Sequence, residues 1–373
     1  MKWINKQADF DSLVTALKNE SVLALDTEAD SLHSYFDKVC LIQVSTPHAD
    51  FLIDPLARLD LSGLGPVLGD RAVTKIFHGA DYDLRILNRD FGFTIANLVD
   101  TMICAQLAGY EAVGLAALLR KHFAIELDKS HQRANWAMRP LPRDMLQYAA
   151  TDTHHLVELS AIMRSELIAL GRWEWAFEEF SRLEAVRWRE VEREDEGFRR
   201  IKGCSKLDPR NLAILRRLYD WRDGKARAAD SPPFKIIGNE ALLEIARTIP
   251  RTDEALAKVA GVSRYHFGKY GPQLLALVEE ALTVPDEELP ARVQGKPWNR
   301  DRGLESRIDR LKKTRDGIAS ELKIDRAIIA PKHVLTAIAT LQPKSVAELD
   351  EIAAMREWQK RLAGEAFVRA LVK

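Results

Sequence analysis

An internal repeat in the second half of the chain most constrains its fold. The segment WRDGKARA at 221–228 matches TRDGIASE at 314–321, an offset of 93 residues. Self-similarity at a fixed spacing is typical of one structural unit used twice. The sequence therefore predicts two copies of a small helical domain, the first at 208–285 and a degenerate second copy at 300–373.

The details of the repeat refine this prediction. The Ile-Ile pair that begins at 236 aligns with the pair that begins at 328, an offset of 92 residues rather than 93. We therefore expect one residue to be inserted or deleted between the two copies at this point. The second copy has Thr314 in place of Trp221, and for this reason we describe it as degenerate. Residues 285–300 contain three prolines and a run of acidic residues, which indicates a linker between the copies.

Short apolar strands mixed with helices are predicted in front of the repeat. Strand-length segments rich in Val, Ile and Leu occur at 22–26, 38–46, 50–54 and 73–77. Helical periodicity occurs at 84–91, 114–123 and 143–169. This order indicates an α/β domain with a mixed sheet over 1–170, and a charged helical connector is predicted at 171–207.

Charge is balanced over the whole chain but is distributed unevenly. Residues 1–170 carry a net charge of −6, residues 171–373 carry +6, and the segment 291–345 alone carries +7. An acidic front half is suited to metal binding and a basic rear half to a polyanion. Ordinary solvated helix faces would give the same pattern.

Composition argues against a membrane or secreted protein. The longest runs without a charged residue are 11 residues, whereas a membrane span needs about 20 apolar residues. The first residues, MKWINKQADF, lack the apolar core of a signal peptide. The 3 cysteines form no CxxC pair, which disfavours a disulfide framework or a zinc site. We therefore expect a cytoplasmic protein.

An apolar strand that runs into two acids is the first chemical feature. Residues 22–30 read VLALDTEAD, so the strand ends at Asp26 and Glu28. Successive strand side chains alternate between faces, and these two carboxylates therefore point the same way. Neighbouring carboxylates repel each other unless a cation lies between them. The pair is compatible with a metal site and also with a solvated strand end.

Further acids follow two later elements. A strand ends at Phe77, and Asp81 and Asp83 then fall in the first turns of the next helix, where acids also stabilise the helix dipole. Tyr148 and Asp152 are four residues apart in a helical segment, so they share one face. The order and number of these acids indicate a site rather than scattered surface charge.

These motifs, in this order, resemble the ribonuclease D branch of the DEDD family of 3′→5′ exonucleases. The matching segments are Asp26-Thr27-Glu28, His78-Gly79-Ala80-x-x-Asp83-Leu84 and Tyr148-x-x-x-Asp152. The family places its second-motif ligand five residues after the histidine, which selects Asp83 over Asp81. The other branch carries a histidine where this chain has Gln147, so Tyr148 assigns the chain to the DEDDy subclass.

The resemblance extends beyond the three motifs. LDKSHQRANWAMRPL at 127–141 looks like the segment that precedes the third motif in ribonuclease D, and the helical copies look like HRDC domains. One departure is Ala29, because some ribonuclease D sequences have an aromatic residue there. That position would lie near the bound 3′ end.

The resemblance implies a fold and an activity. The fold would be an α/β ribonuclease H-like exonuclease domain with a mixed sheet, followed by two all-α HRDC-like domains. The activity would be that of a 3′→5′ exoribonuclease that releases nucleoside 5′-monophosphates, in the 3′ processing of tRNA precursors and other small structured RNAs. It would use two divalent cations, Mg²⁺ or Mn²⁺, per active site.

The resemblance also implies a role for each catalytic residue. Asp26 would bridge the two cations. Glu28 and Asp152 would hold the cation that activates water, and Asp83 would hold the other. Tyr148 would orient the attacking water, because an unperturbed phenol with a pKa near 10 is a poor base at neutral pH.

Substrate contacts are predicted at His78, Lys129 and Arg133, although Lys129 and Arg133 equally fit plain surface charges. The helical copies would add binding, because basic side chains neutralise backbone phosphates. The candidates are Arg216, Arg217, Arg222, Lys225 and the basic residues of 291–345. In the alternative interpretation, these domains mainly pack against the exonuclease domain and each other.

Three other functions are compatible with parts of the sequence. A 3′→5′ exonuclease acting on DNA would carry the same motifs, but the helical pair and the 127–141 segment favour RNA. A non-catalytic RNA-binding module is disfavoured because all four carboxylates are present. A structural helical adaptor is disfavoured by the front domain. The sequence gives no sign of an obligate protein partner.

Overall fold

The computed structural model describes residues 1–128, 130–189, 196–292 and 301–372. They form two compact units. The first comprises Met1–Ala29, Val39–Trp188 and Arg300–Lys373, and the second comprises Asp30–Lys38 and Arg189–Asn299. The two copies of the repeat therefore belong to different units, and the second copy shares its unit with the α/β part of the chain.

A six-stranded mixed sheet organises the α/β part. Its strands are β1 (Lys2–Ile4), β2 (Val22–Ala29), β3 (Val39–Ser45), β4 (Asp50–Ile53), β5 (Thr74–Phe77) and β6 (Leu98–Asp100), in the spatial order β1-β4-β3-β2-β5-β6. β3 is antiparallel to β2 and to β4, and the other neighbours are parallel. The predicted mixed sheet is confirmed, and β2 lies inside it, between β3 and β5.

Eight helices accompany this sheet in the described residues. They are α1 (Gln7–Leu17), α2 (Leu64–Gly69), α3 (Asp81–Phe91), α4 (Thr101–Ala108), α5 (Leu115–Phe123), α6 (Arg143–His154), α7 (Leu156–Ala169) and α8 (Trp173–Glu184). The single helix predicted at 143–169 is therefore two helices, which meet at His155, where ψ is 0°. The predicted connector is α-helical only in α8, with single 3₁₀ turns at Gly197–Arg200 and Cys204–Lys206; residues 190–195 lie outside the described part.

The first copy of the repeat belongs to the second unit. Its helices are α9 (Pro209–Ala228), α10 (Pro233–Ile236), α11 (Asn239–Thr248), α12 (Asp253–Leu256) and α13 (Arg264–Leu282), followed by a 3₁₀ turn at Asp286–Glu288. These helices enclose their own hydrophobic core, which includes Leu215, Leu242 and Leu274, each 0% exposed. Of the predicted linker, residues 293–300 lie outside the described part.

The second copy consists of α14 (Arg302–Leu322), α15 (Arg326–Ile329), α16 (Lys332–Leu341) and α17 (Glu357–Val372), with a 3₁₀ turn at Ala347–Glu351 before α17. Each of these helices begins 93 residues after its counterpart in the first copy. The one-residue insertion or deletion expected at the Ile-Ile pair is therefore wrong, because Ile236 and Ile329 both end the equivalent short helix.

A buried arginine is common to both copies. Arg222 donates from Nη1 to the carbonyl of Ile237 at 3.2 Å, and Arg315 donates in the same way to Ala330 at 3.1 Å. Both side chains are buried. Each arginine therefore ties the first helix of its copy to the chain that follows the short helix. The expectation that Arg222 contacts phosphate is wrong for this reason.

The second copy packs directly on α8. Trp358 stacks on Trp175 with ring centroids 4.7 Å apart. Arg356 pairs with Glu179 at 2.9 Å. The apolar residues of α14–α17 belong to the same hydrophobic cluster as the α/β core, so the alternative in which a helical domain packs against the front domain holds for this copy. In the described residues, no helix is both long and apolar enough to cross a membrane.

Removal of the Trp358 side chain should destabilise the first unit. Trp358 is 4% exposed, so Trp358→Ala should lower the free energy of unfolding by about 3–5 kcal/mol, the usual cost of truncating a buried aromatic residue. Phe177→Ala on α8 is the matched control, because Phe177 is 58% exposed and its loss should change stability by less than about 0.5 kcal/mol. Urea unfolding followed by circular dichroism measures both. Equal unfolding midpoints for the two variants would contradict the packing role.

Candidate active site

The acidic pair lies on the interior strand of the sheet. Asp26 and Glu28 belong to β2, opposite Gln43 and Leu41 of β3. The register shifts between Glu28 and Ala29, so the strand becomes irregular directly after the second acid. Such irregularities are common next to active sites because they end the pairing and redirect a side chain.

A helix brings the third carboxylate to this pair. Asp152 lies on α6, which packs on β2, β3 and β4. Oxygen atoms of Asp26, Glu28 and Asp152 all lie within 4.8 Å of one another. Three carboxylates at this spacing, with no nitrogen or sulfur ligand among them, match the oxygen-rich sites of hard divalent cations.

The fourth acid approaches the strand from another helix. Asp83 lies in the first turn of α3, is buried, and accepts a hydrogen bond from the hydroxyl of Thr27, the residue between the acidic pair. It lies outside the group of three described above. Asp81 lies in the same turn but is exposed and pairs with Arg85 at 2.9 Å. The structure thus separates the two second-motif acids by burial.

Burial raises the pKa values of all four acids, and the charges of neighbouring acids of the cluster raise those of Asp26 and Glu28 further. The pKa of Asp26 is raised well above its ordinary value by burial and then by the charges of Asp83 and Asp152. Burial and the charges of Asp152 and Asp83 raise the pKa of Glu28 to about 9. Burial raises the pKa values of Asp83 and Asp152 to about 7. A divalent cation would replace the protons that these groups otherwise hold, so the residues present fit such an ion.

Tyr148 is placed beside this carboxylate cluster. Its hydroxyl donates a hydrogen bond to Asp152. Burial and the charges of Asp152 and Glu28 raise the pKa of the phenol far above its ordinary value, so the proton stays on the oxygen. The ring contacts those of His131 and Trp136, with centroids 5.8 and 6.0 Å away. Tyr148 is therefore a fixed hydrogen-bond donor.

His78 faces the same cleft. Its Nδ1 lies 2.9 Å from the hydroxyl of Thr101, which itself donates to the carbonyl of Phe77 at 3.0 Å. Because that hydroxyl proton is already used, Nδ1 of His78 is the donor and Nε2 is left as an acceptor. Burial lowers the pKa of the imidazole, which favours the neutral form. His78 can thus accept a hydrogen bond from a hydroxyl group.

The sequence did not reveal the support for this histidine. Asp100 is buried and accepts from the amides of Gly79 and Ala80 at 3.1 and 2.8 Å. Gly79 has φ +81°, and a Cβ at this position would lie 3.3 Å from Cε of Met102. The turn therefore requires glycine and an acid 21 residues later to present His78. The sequence signal that could have revealed this support is Asp100 itself, an acid at the end of a short strand and directly before a helix.

The cleft also has a wall that the motifs did not predict. Its volume is about 510 Å³. It is lined by Asp26, His78, Tyr148 and Asp152, and also by Ala112, residues 114–117, Leu127, Asp128, Gln132 and Leu156. Arg133 is exposed and is not among these lining residues. Lys129 lies outside the described residues.

Family models agree with this arrangement. Residues 1–168 match a model described as 3′-5′ exonuclease, and residues 211–278 and 305–371 match the HRDC domain. The mixed sheet, the acidic cleft and these matches define a 3′→5′ exonuclease with two appended HRDC domains.

Known relatives narrow this class. Ribonuclease D of Granulibacter bethesdensis is 31% identical, over 97% of this chain and 90% of that protein. The crystal structure of Escherichia coli RNase D, described as an exoribonuclease involved in structured RNA processing, matches with a TM-score of 0.71 at 27% identity, over 100% of this chain and 98% of that one. The catalytic core of RRP6 from Trypanosoma brucei matches with a TM-score of 0.68 at 30% identity, over 76% of this chain and 81% of that one. The chain belongs to the ribonuclease D family.

Without divalent cations, the stability of the first unit should fall as pH rises from about 6 to about 9. The folded site holds protons with pKa values from about 7 to about 9, whereas unfolded carboxyl groups lose theirs near 4. The unfolded chain thus binds fewer protons in this range, so the free energy of unfolding decreases with pH. The melting temperature in EDTA measures this slope.

Mg²⁺ should raise the melting temperature more at about pH 9 than at about pH 6, because cation and protons compete for the same oxygens. Asp26→Asn should weaken both effects. Asp81→Asn, an exposed acid nearby, should leave them unchanged. An EDTA melting temperature whose pH dependence is the same in wild type and Asp26→Asn would contradict the assignment.

Proposed function

We infer that this chain is a 3′→5′ exoribonuclease that hydrolyses RNA to nucleoside 5′-monophosphates. The convergence of Asp26, Glu28 and Asp152 within 4.8 Å, in a chain of the ribonuclease D family, carries this conclusion. In the cell, the 3′ processing of tRNA precursors and other small structured RNAs is the role we propose, in the cytoplasm.

Divalent cations are the cofactors that this donor set fits. We propose two ions per site, Mg²⁺ or Mn²⁺, with Asp26 shared between them, Glu28 and Asp152 on one, and Asp83 on the other. When bound, they supply electrostatic stabilisation of the attacking and leaving oxygens of the phosphodiester. Among the acids of the second motif, the buried Asp83 supports this assignment better than the exposed, ion-paired Asp81.

Side chains of the protein orient the reactants. The raised pKa means that Tyr148 is not deprotonated at neutral pH, so no phenolate is available to act as a base. The phenol would instead hold the attacking water by hydrogen bonding. The neutral His78 offers Nε2 to a ribose hydroxyl rather than to an anionic phosphate oxygen, which would need a donor. Lys129 and Arg133 remain candidates for phosphate contacts.

A division of labour follows. We propose catalysis by residues 1–170 and RNA binding by the first HRDC domain at 208–285, with 171–207 as the connector. The second HRDC-like domain at 300–373 would chiefly complete the catalytic unit, because its apolar residues share that core. Arg216, Arg217 and Lys225 are exposed and remain candidates for phosphate contacts, whereas the basic segment 291–345 includes the buried Arg315.

Asp26→Asn should nearly abolish RNA hydrolysis. Loss of a partner that only supports a metal ligand costs about 10–100-fold, so loss of a shared ligand should reduce kcat by more than about 100-fold. The assay is a time course on matched 3′-tailed RNA and DNA oligomers with Mg²⁺, Mn²⁺ or EDTA. Asp81→Asn is the control and should retain full activity. Wild-type hydrolysis that persists in EDTA, or faster hydrolysis of DNA than of RNA, would overturn the proposal.

Tyr148→Phe should lower kcat and leave KM nearly unchanged. The substitution keeps the ring and its contacts with His131 and Trp136 and removes only the hydroxyl. Misplacing a reactant costs about 10²-fold in rate, whereas substrate binding is retained. Tyr110→Phe, which removes another hydrogen-bonded hydroxyl of the same unit, is the control and should keep its kcat. An unchanged kcat in Tyr148→Phe would reduce Tyr148 to a packing residue.

A further inference from the structure

The second copy of the repeat uses the beginning of its last helix as a docking face. The amides of Glu357 and Trp358, the first two of α17, donate to the carboxylate of Glu178 at 2.8 and 3.0 Å. Trp358 Nε1 donates to Glu179 at 3.1 Å, and the indole stacks on Trp175. In this copy, the face therefore binds two carboxylates and one flat ring.

The first copy leaves the same face open to solvent. Arg264 and Tyr265 are the first two residues of α13, and they lie 93 residues before Glu357 and Trp358, their counterparts in the second copy. Tyr265 is 61% exposed, whereas Trp358 is 4% exposed. An aromatic ring at the same position is thus buried in one copy and available to a ligand in the other.

The chemistry of the open face differs from that of the covered one. No Asp or Glu occurs from 255 to 278, whereas Lys258, Arg264 and Lys269 are all present and exposed. Lys269 Nζ lies 5.2 Å from the ring centroid of Tyr265. In the second copy, the position of Lys269 is taken by Leu362, which packs against the apolar core. The first copy therefore has a positive charge where the second has an apolar contact.

We propose that this face of α13, formed by Arg264, Tyr265 and Lys269, binds a single-stranded segment of RNA. A phosphate would accept from the amides of Arg264 and Tyr265 as the Glu178 carboxylate accepts from those of Glu357 and Trp358, and a base would stack on Tyr265 as Trp175 stacks on Trp358. Basic side chains beside an exposed ring are suited to this ligand. The proposal rests on the proposed function only for the identity of the polyanion.

Binding is tested on the full chain in EDTA, which separates it from hydrolysis. Fluorescence anisotropy measures the affinity for a labelled RNA hairpin with a single-stranded 3′ tail at several salt concentrations. Tyr265→Ala should weaken binding by about tenfold, within the range for loss of one stacked base, and Tyr265→Phe should restore it. Lys269→Gln should reduce the slope of log affinity against log salt by about 0.7. Arg251→Gln removes an exposed charge that pairs with Glu279 and should do neither.

The result that would overturn the proposal is equally specific. Wild-type affinity and salt slope in both Tyr265→Ala and Lys269→Gln would exclude RNA from this face. Binding of a synthetic peptide of residues 173–185, which contains the acids and ring that cover the second copy, would then identify the face as a protein site. Hydrolysis of a four-nucleotide RNA with Mg²⁺ should be normal in Tyr265→Ala. If the wild type fails to hydrolyse it, the proposed function fails while the binding measurement still stands.

Discussion

Repulsion among buried carboxylates is the interaction on which the rest of the catalytic unit depends. Asp26 and Glu28 on β2, with Asp152 and Asp83 from two helices, lie in a space with little water, so that without a cation these carboxyl groups resist ionisation. Such a cluster opposes folding, so the surrounding packing must hold it in place. The cost is useful, because a site that cannot relax around its own charges is already arranged for cations.

The supporting structure reflects this requirement. β2 is flanked on both sides by strands, and α6, which carries Tyr148 and Asp152, packs on three strands at once. The buried Asp100 fixes the turn that presents His78. The second HRDC-like copy extends the same hydrophobic cluster outward from the sheet. The stiffness of the site therefore derives from residues far apart in the sequence.

The parts that could be predicted are those with local signals. Strands β2 to β5, the mixed sheet, the acids and the repeat all leave patterns within short segments. β1 and β6 have only three residues each, too few to show alternation, and exist because neighbouring strands supply their partners. The burial of Arg222 could not be predicted either. A charged residue in a basic helix is expected at the surface, and only the structure shows that its partner is the carbonyl of Ile237. The expected alignment shift at the Ile-Ile pair arose from matching letters, whereas the helices keep a constant spacing.

The docked second copy changes what a degenerate repeat means. Leu362 replaces Lys269 and Trp358 replaces Tyr265, and both changes suit a face that no longer meets solvent. A duplicated domain that packs into the core of its neighbour is constrained by that packing, and its sequence changes accordingly. The differences between the copies thus reflect a different structural role for the second copy rather than its degeneration. If such a chain were shortened to the part that carries the catalytic motifs, the second copy would be lost, and with it part of the hydrophobic core that supports the active site.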